Sequence, residues 1–213
     1  MNFLPEEIEN YSEAYTSPES NVLKELNRKT YAQVLNPRML SGHLQGRLLA
    51  MLSKMIKPKR ILEIGTYTGY ATQCLAEGLA IDGAIDTLEK NVELKHIIDE
   101  YFAKADLTNK VNLHIGNALQ LIPGLNFKYD LVFIDADKEN YSNYFDLIID
   151  KVSPGGFIIA DNVLWSGKVL EPVDEKDIDT KAIIEFNEKI QRDKRVFNLL
   201  LPVRDGLMVM QKL

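Results

Sequence analysis

Four oxygen-bearing side chains stand at the ends of two apolar runs. Asp135 and Asp137 follow LVFI in LVFIDADK, and Asp161 and Asn162 close FIIADN. If these runs are neighbouring strands, three or four oxygens converge at one sheet edge. No histidine or cysteine stands nearby in either run. Hard oxygen donors select Mg²⁺, with Ca²⁺ or Mn²⁺ as alternatives, over zinc. A cation held there would orient a hydroxyl and stabilise its deprotonated form. Lys138 opens the following helix, where a positive charge opposes the helix dipole, so helix formation alone does not select it. Beside a divalent cation an amine loses its proton more readily, which makes Lys138 a candidate general base. The plainer alternatives are acids that cap the next helices, and a Lys138 paired with Asp137 or Glu139. None of His43, His96 and His114 has a metal-like spacing to another, and they read as surface or locally bonded residues.

A second candidate site is the glycine loop ILEIGTYTGY, residues 61–70. Gly65 and Gly69 follow a strand candidate and open a helix, where open α/β sheets bind ligands. The spacing is Gly-x-x-x-Gly rather than the G-x-G-x-x-G of a pyrophosphate cradle. A cofactor without phosphates fits better, the alternative being a simple tight turn. Glu89 ends the second strand candidate, the usual place for a carboxylate that accepts from both ribose hydroxyls. Glu63 is an acid inside an apolar strand. A buried carboxylate must find donors, and the ammonium of a methionine moiety is one candidate. A partner on the N-terminal helices is the other.

These residues need a sheet to bring them together. Strands are expected at 60–64, 84–88, 111–115, 130–134 and 157–160, short apolar runs suited to a sheet covered on both faces. Helices or helical turns at 70–79, 92–105, 119–122 and 141–152 alternate with them, which argues for a parallel sheet with right-handed crossovers. A helix at 180–192 precedes two strands, 196–203 and 207–212. Their short Arg204-Asp205-Gly206 link makes them antiparallel neighbours. Residues 1–58 read as a helical cap. Ser17-Pro18-Glu19 is expected to start one of its helices, and another ends before Pro58. The expected fold is α/β: a Rossmann-like, seven-stranded, mostly parallel sheet over 59–213 with an antiparallel C-terminal hairpin. With the cap it forms a single domain over 1–213. The hairpin departs from the usual dinucleotide-binding fold and matches the common S-adenosylmethionine-dependent methyltransferases.

The chain has 213 residues, 46% of them hydrophobic, enough for a full core. Its formal charge is −6, which repels nucleic acid and anionic membranes at long range. One cysteine, Cys74, excludes an internal disulfide and fits a reducing compartment. The acidic N-terminal segment lacks the pattern of a signal peptide. No apolar run approaches the ~20 residues that span a bilayer. A soluble, cytoplasmic protein is the expectation.

The run DADKENYSNYFDLIIDKVSPGGFIIADNVLWSGKV closely resembles the caffeoyl-CoA-type and catechol-type O-methyltransferases, especially bacterial members. The resemblance covers nearly the whole chain, through PRMLSGHLQGRLLAML, LEIGTYTGYATQCLA, DTLEKN, GNAL and RVFNLLLPVRDGLMVMQK. It implies a cation-dependent class I methyltransferase that is a homodimer, with metal ligands at Asp135, Asp161 and Asn162 and the family's lysine at Lys138. The implied cofactor contacts are Met39, Ser41, Glu63, Gly65, Thr66, Ala71, Glu89, Ala118 and Asp135, with Gly69 added from the loop. Ser41 is often valine in the family and Ala71 often serine, so a hydroxyl contact at 71 is not carried over. Asp137 instead orients a neighbour. The implied reaction is in-line transfer of the sulfonium methyl group to a hydroxyl oxygen, with Lys138 taking or sharing the proton and Asp135 acting alongside it. Trp165 could wall an aromatic ring, or simply pack its loop. The acids Glu171, Asp174, Glu175, Asp177 and Asp179 offer little to a polyphosphate, so a small catechol-like acceptor is preferred to a CoA ester. The alternatives are a hydroxylated uridine in tRNA, drawn by Arg38, Arg47, Lys57, Lys59 and Arg60, a nicotinamide dehydrogenase, and a non-enzymatic binding module.

Overall fold

The computed structural model describes residues 5–213. Residues 1–4, the start of the acidic segment read for a signal peptide, lie outside the described residues. Five parallel strands, β1 (Arg60–Ile64), β2 (Ala84–Glu89), β3 (Val111–Ile115), β4 (Tyr129–Ile134) and β5 (Val152–Asp161), are followed by β6 (Val196–Leu201) and β7 (Leu207–Lys212). They form one sheet in the order β3-β2-β1-β4-β5-β7-β6, with β7 antiparallel to both β5 and β6. The expected seven-stranded sheet with its hairpin is present.

Alternation along each strand divides the core into two apolar layers. Leu62, Ile64, Val132 and Ile134 face α6 (Ala118–Leu121), α7 (Tyr141–Ile148) and α8 (Ile178–Arg192). Ile61, Leu131 and Phe133 face α2 (Asn21–Gln33), α3 (Gly42–Ile56), α4 (Tyr70–Ala76) and α5 (Lys95–Lys104). Leu23, Leu26 and Leu49 of the N-terminal helices belong to this second layer, so residues before 59 share a core with the sheet. Among the described residues no helix is long and apolar enough to cross a membrane.

Several boundaries differ from those expected. Helix α2 does not start at Ser17-Pro18-Glu19. Ser20 caps it, accepting from Leu23 N at 3.2 Å, while Glu19 accepts a hydrogen bond from Tyr70 OH. A separate helix, α1 (Glu6–Ala14), comes before it. Strand β5 begins five residues earlier than 157, running through Pro154-Gly155-Gly156, with a register irregularity opposite Tyr129. The segment 141–152 is helical only to Ile148 and then tightens into a 3₁₀ turn.

Candidate active site

The carboxyl ends of β1, β4 and β5 lie side by side, because β4 pairs with both of the others. A cleft of about 1400 Å³ opens above them. Of the expected site residues, Met39, Ser41, Gly65, Glu89, Ala118, Asp135, Lys138, Asp161, Asn162 and Trp165 line it. Glu63, Thr66, Gly69 and Ala71 do not form its wall. Thr66 is buried and shares a hydrogen bond with Thr87 Oγ1 at 2.6 Å. Gly69 has φ +86°, and a Cβ there would meet Phe102 Cε1 at 2.6 Å. Ala71 is packed in the apolar layer. These residues shape the loop from behind.

Gly65 must be glycine. Its φ is +101°, and a Cβ would lie 2.1 Å from the carbonyl oxygen of Asp135. The loop therefore presses its backbone against the end of β4. Its Tyr67 N–H donates to Glu89 Oε2 at 2.7 Å, and Asn91 N–H donates to Oε1 at 2.8 Å. Burial raises the Glu89 carboxyl above its usual range, against these N–H bonds. Each Glu89 oxygen retains acceptor capacity for a further donor.

Glu63 is fully buried. Its Oε2 accepts from Thr87 Oγ1 at 2.5 Å and from Thr72 Oγ1. Its Oε1 has no partner among the described residues. Burial pushes this carboxyl up to about 8, with Asp135 and Glu89 adding repulsion and the two threonines opposing it. The N-terminal helices supply no partner. An orphaned buried acceptor on β1, two residues before Gly65, suits a cationic ligand group.

The acid cluster is organised around Lys138, which is 7% exposed. Its Nζ donates to Tyr141 OH at 2.6 Å, Asn162 Oδ1 at 2.7 Å and Asp135 Oδ1 at 3.2 Å. The alternative pairing with Asp137 or Glu139 does not form. Asp137 is bound by Tyr144 OH at 2.6 Å and by Asn140. Burial alone would raise its carboxyl, but these bonds hold it below the usual range. Asp137 thus anchors the start of α7 and stands apart from the other three oxygens. Asp161 is 3% exposed, with its Oδ1 bonded to Asn162 N–H at 2.7 Å. Burial, and then repulsion from Asp135, push its carboxyl up to about 7, while Lys138 pulls it down. Two mutually repelling acids and an amide are a donor set that a hard divalent cation would relieve. Among the described residues no group of three or more His, Cys, Asp or Glu is arranged for a metal; this set has only two acids, with Asn162 as the third donor.

Trp165 has φ 46° and lies with its ring centroid 5.8 Å from Lys138 Nζ. Its loop is held to the β6–β7 turn by Leu164 N–H on Asp205 O at 2.9 Å and by Ser166 N–H on the Asp205 carboxylate. Arg38 is the one member of the expected basic patch that lines the cleft. Arg47 is paired with Glu77 at 2.6 Å, and Arg60 starts β1 at the opposite end of the strand. Sequence reasoning missed Tyr141, which fixes Lys138, and Gln45 and Arg204, which also line the cleft. The GxxxG loop and the strand-end acids carry a signal in local spacing, whereas these three carry none.

A family model described as O-methyltransferase matches residues 12–213. Caffeoyl-CoA O-methyltransferase 2 of Eucalyptus globulus is 37% identical over 205 residues, covering 89% of this chain and 80% of that protein. The chain belongs to the O-methyltransferase family of the caffeoyl-CoA type. The O-methyltransferase is likewise similar to solved structures. The enzyme from Bacillus cereus in complex with SAH superposes with a TM-score of 0.90 at 30% identity, covering 97% of each chain. The SAH-bound Podospora anserina methyltransferase PaMTH1 superposes with a TM-score of 0.89 at 29% identity, covering 100% of this chain and 99% of that one. The chain is thus an S-adenosylmethionine-dependent O-methyltransferase with a class I fold. The dehydrogenase and non-enzymatic readings give way to this membership.

Proposed function

We propose that this enzyme methylates a hydroxyl of a small catechol-like acceptor with the help of a divalent cation. One observation carries the reading: Asp135, Asn162 and Lys138 meet within hydrogen-bond distance, beside Asp161, in the cleft that also holds Gly65, Glu89 and Trp165. S-adenosylmethionine supplies the methyl group, and a cation on Asp135, Asp161 and Asn162 supplies the charge that favours the acceptor's oxyanion.

The chain's own residues do the rest. Glu63 Oε1 receives the donor's ammonium, and Glu89 accepts from its ribose hydroxyls. Gly65 allows the backbone to close on the donor. Lys138 Nζ, held by Tyr141, takes or shares the hydroxyl proton after releasing one of its own to solvent. Trp165 walls the acceptor ring. The site acts chiefly by positioning and by charge stabilisation. Asp179 and Asp205 on the cleft wall oppose a polyphosphate, which favours a free catechol over a CoA ester. The basic residues that would have drawn a tRNA lie mostly away from the cleft.

The test is a methyl-transfer assay with labelled donor over a catechol, a CoA ester and hydroxylated RNA, each with and without EDTA. Catechol methylation that is abolished by EDTA and restored by Mg²⁺ is expected. A rate unchanged by chelation refutes the metal role, and transfer to RNA or the CoA ester but not the catechol refutes the acceptor.

A further inference from the structure

Gln45 lies on α3 and is 2% exposed. Its Nε2 donates to Asp161 Oδ2 at 2.5 Å, and its Oε1 accepts from Arg204 Nη1 at 3.2 Å. Arg204 sits in the β6–β7 turn with φ 50°, and the same nitrogen donates to Leu40 O at 3.3 Å. The contact joins the N-terminal helices, the end of β5 and the C-terminal hairpin.

The chain of bonds has a direction. A carboxamide has a donor end and an acceptor end, and either could turn towards a neighbour. A guanidinium only donates. Arg204 therefore claims Oε1 and leaves Nε2 for Asp161. The second Asp161 oxygen is held by Asn162 N–H. Both oxygens of this buried carboxylate thus have one fixed donor each, and each keeps a lone pair. The Arg204 charge stays one amide away, so Asp161 is oriented without being consumed in a direct ion pair.

We propose that Gln45, itself oriented by Arg204, is a positioning residue that aims the Asp161 carboxylate at the divalent cation. The proposal rests on the metal reading above. Partners that orient ligating carboxylates typically change metal affinity about 10–100-fold when removed. The experiment measures Mn²⁺ binding to the full-length protein by electron paramagnetic resonance and, separately, S-adenosylhomocysteine binding by calorimetry. Gln45→Leu is expected to weaken Mn²⁺ about 10-fold or more while leaving S-adenosylhomocysteine within about twofold. Arg204→Met, which does not touch Asp161 and guards against a misfolded Gln45 variant, is expected to weaken Mn²⁺ by a smaller factor. The double variant should bind no more weakly than Gln45→Leu alone, because the two residues act in series. Mn²⁺ affinity within about twofold of wild type in both single variants overturns the proposal, as does a parallel loss of both ligands. A wild-type protein that binds no Mn²⁺ overturns the metal reading itself, and this inference with it.

Discussion

Replacing Glu63 with glutamine should make the ligand-free protein more stable at pH 7.5, although Glu63 belongs to the core. Its carboxyl has an ordinary value of 4.5 and is pushed up to about 8 by burial. A raised folded-state value means that the protonated acid suits the fold. This contribution is fully present below pH 4.5 and is lost as pH rises towards 8. At about 1.4 kcal/mol per pH unit, stability falls by about 4 kcal/mol between about pH 4.5 and 7.5. Glutamine avoids that loss. It keeps an oxygen for the Thr72 and Thr87 hydroxyls but places an amide N–H₂ where Oε1 has no partner. An unsatisfied buried group costs about 1–3 kcal/mol. At pH 7.5 the loss avoided exceeds this cost, leaving a net gain of about 1–3 kcal/mol. At pH 5 the loss avoided is below about 1 kcal/mol, so the sign reverses. Urea unfolding of Glu63→Gln and wild type at both pH values measures this directly. The same variant should bind S-adenosylmethionine at least about tenfold more weakly, because a charge-assisted bond to the ammonium is gone. A stability difference that is the same at pH 5 and pH 7.5 refutes the coupling of Glu63 protonation to folding. Unchanged donor affinity refutes the role given to Oε1.

Two further substitutions probe the other walls of the cleft. Lys138→Met should lower kcat by about 10²–10⁴, the range of general-base catalysis, while S-adenosylhomocysteine affinity measured by calorimetry stays within about twofold. Gly65→Ala should destabilise the fold by at least about 2 kcal/mol, since it combines a positive φ with a Cβ 2.1 Å from Asp135 O, and thermal unfolding reads this as a lower Tm.

Much of this architecture is legible because buried parallel strands leave a local trace. Strands β1, β3 and β7 match the expected bounds, β1 and β3 being short runs ended by a glycine. Strand β5 is longer than expected because Pro154-Gly155-Gly156 reads as a breaker, yet here the glycines continue the strand beside the irregular pairing at Tyr129. Glu63 is conspicuous as an acid among Ile61, Leu62 and Ile64, and its burial follows from that setting. Gln45 and Arg204 are not legible. Gln45 lies 116 residues from Asp161 and 159 from Arg204 along the chain, and nothing in either local pattern marks them. Gly69 is misleading in the opposite sense. It shares a motif with Gly65, but its constraint comes from packing against Phe102 on α5, a contact that only the tertiary structure creates.

Glu63, Asp135 and Asp161 also explain one another. They stand on or at the ends of β1, β4 and β5, three adjacent strands, and Asp135 repels the other two. Lys138 is the cation that reaches this group, and its bonds go to Asp135, Asn162 and Tyr141 rather than to Glu63. Burying an unpaired charge costs several kcal/mol, which a fold has no structural reason to incur at two strand ends. The cost is coherent if the cleft receives positive charge on two sides. The ammonium and sulfonium of S-adenosylmethionine would meet the first, and a divalent cation the second. A pyrophosphate cofactor would instead add negative charge beside Glu63, Glu89 and Asp135. The same electrostatics that make the ligand-free site unstable therefore select a cationic methyl donor over a dinucleotide.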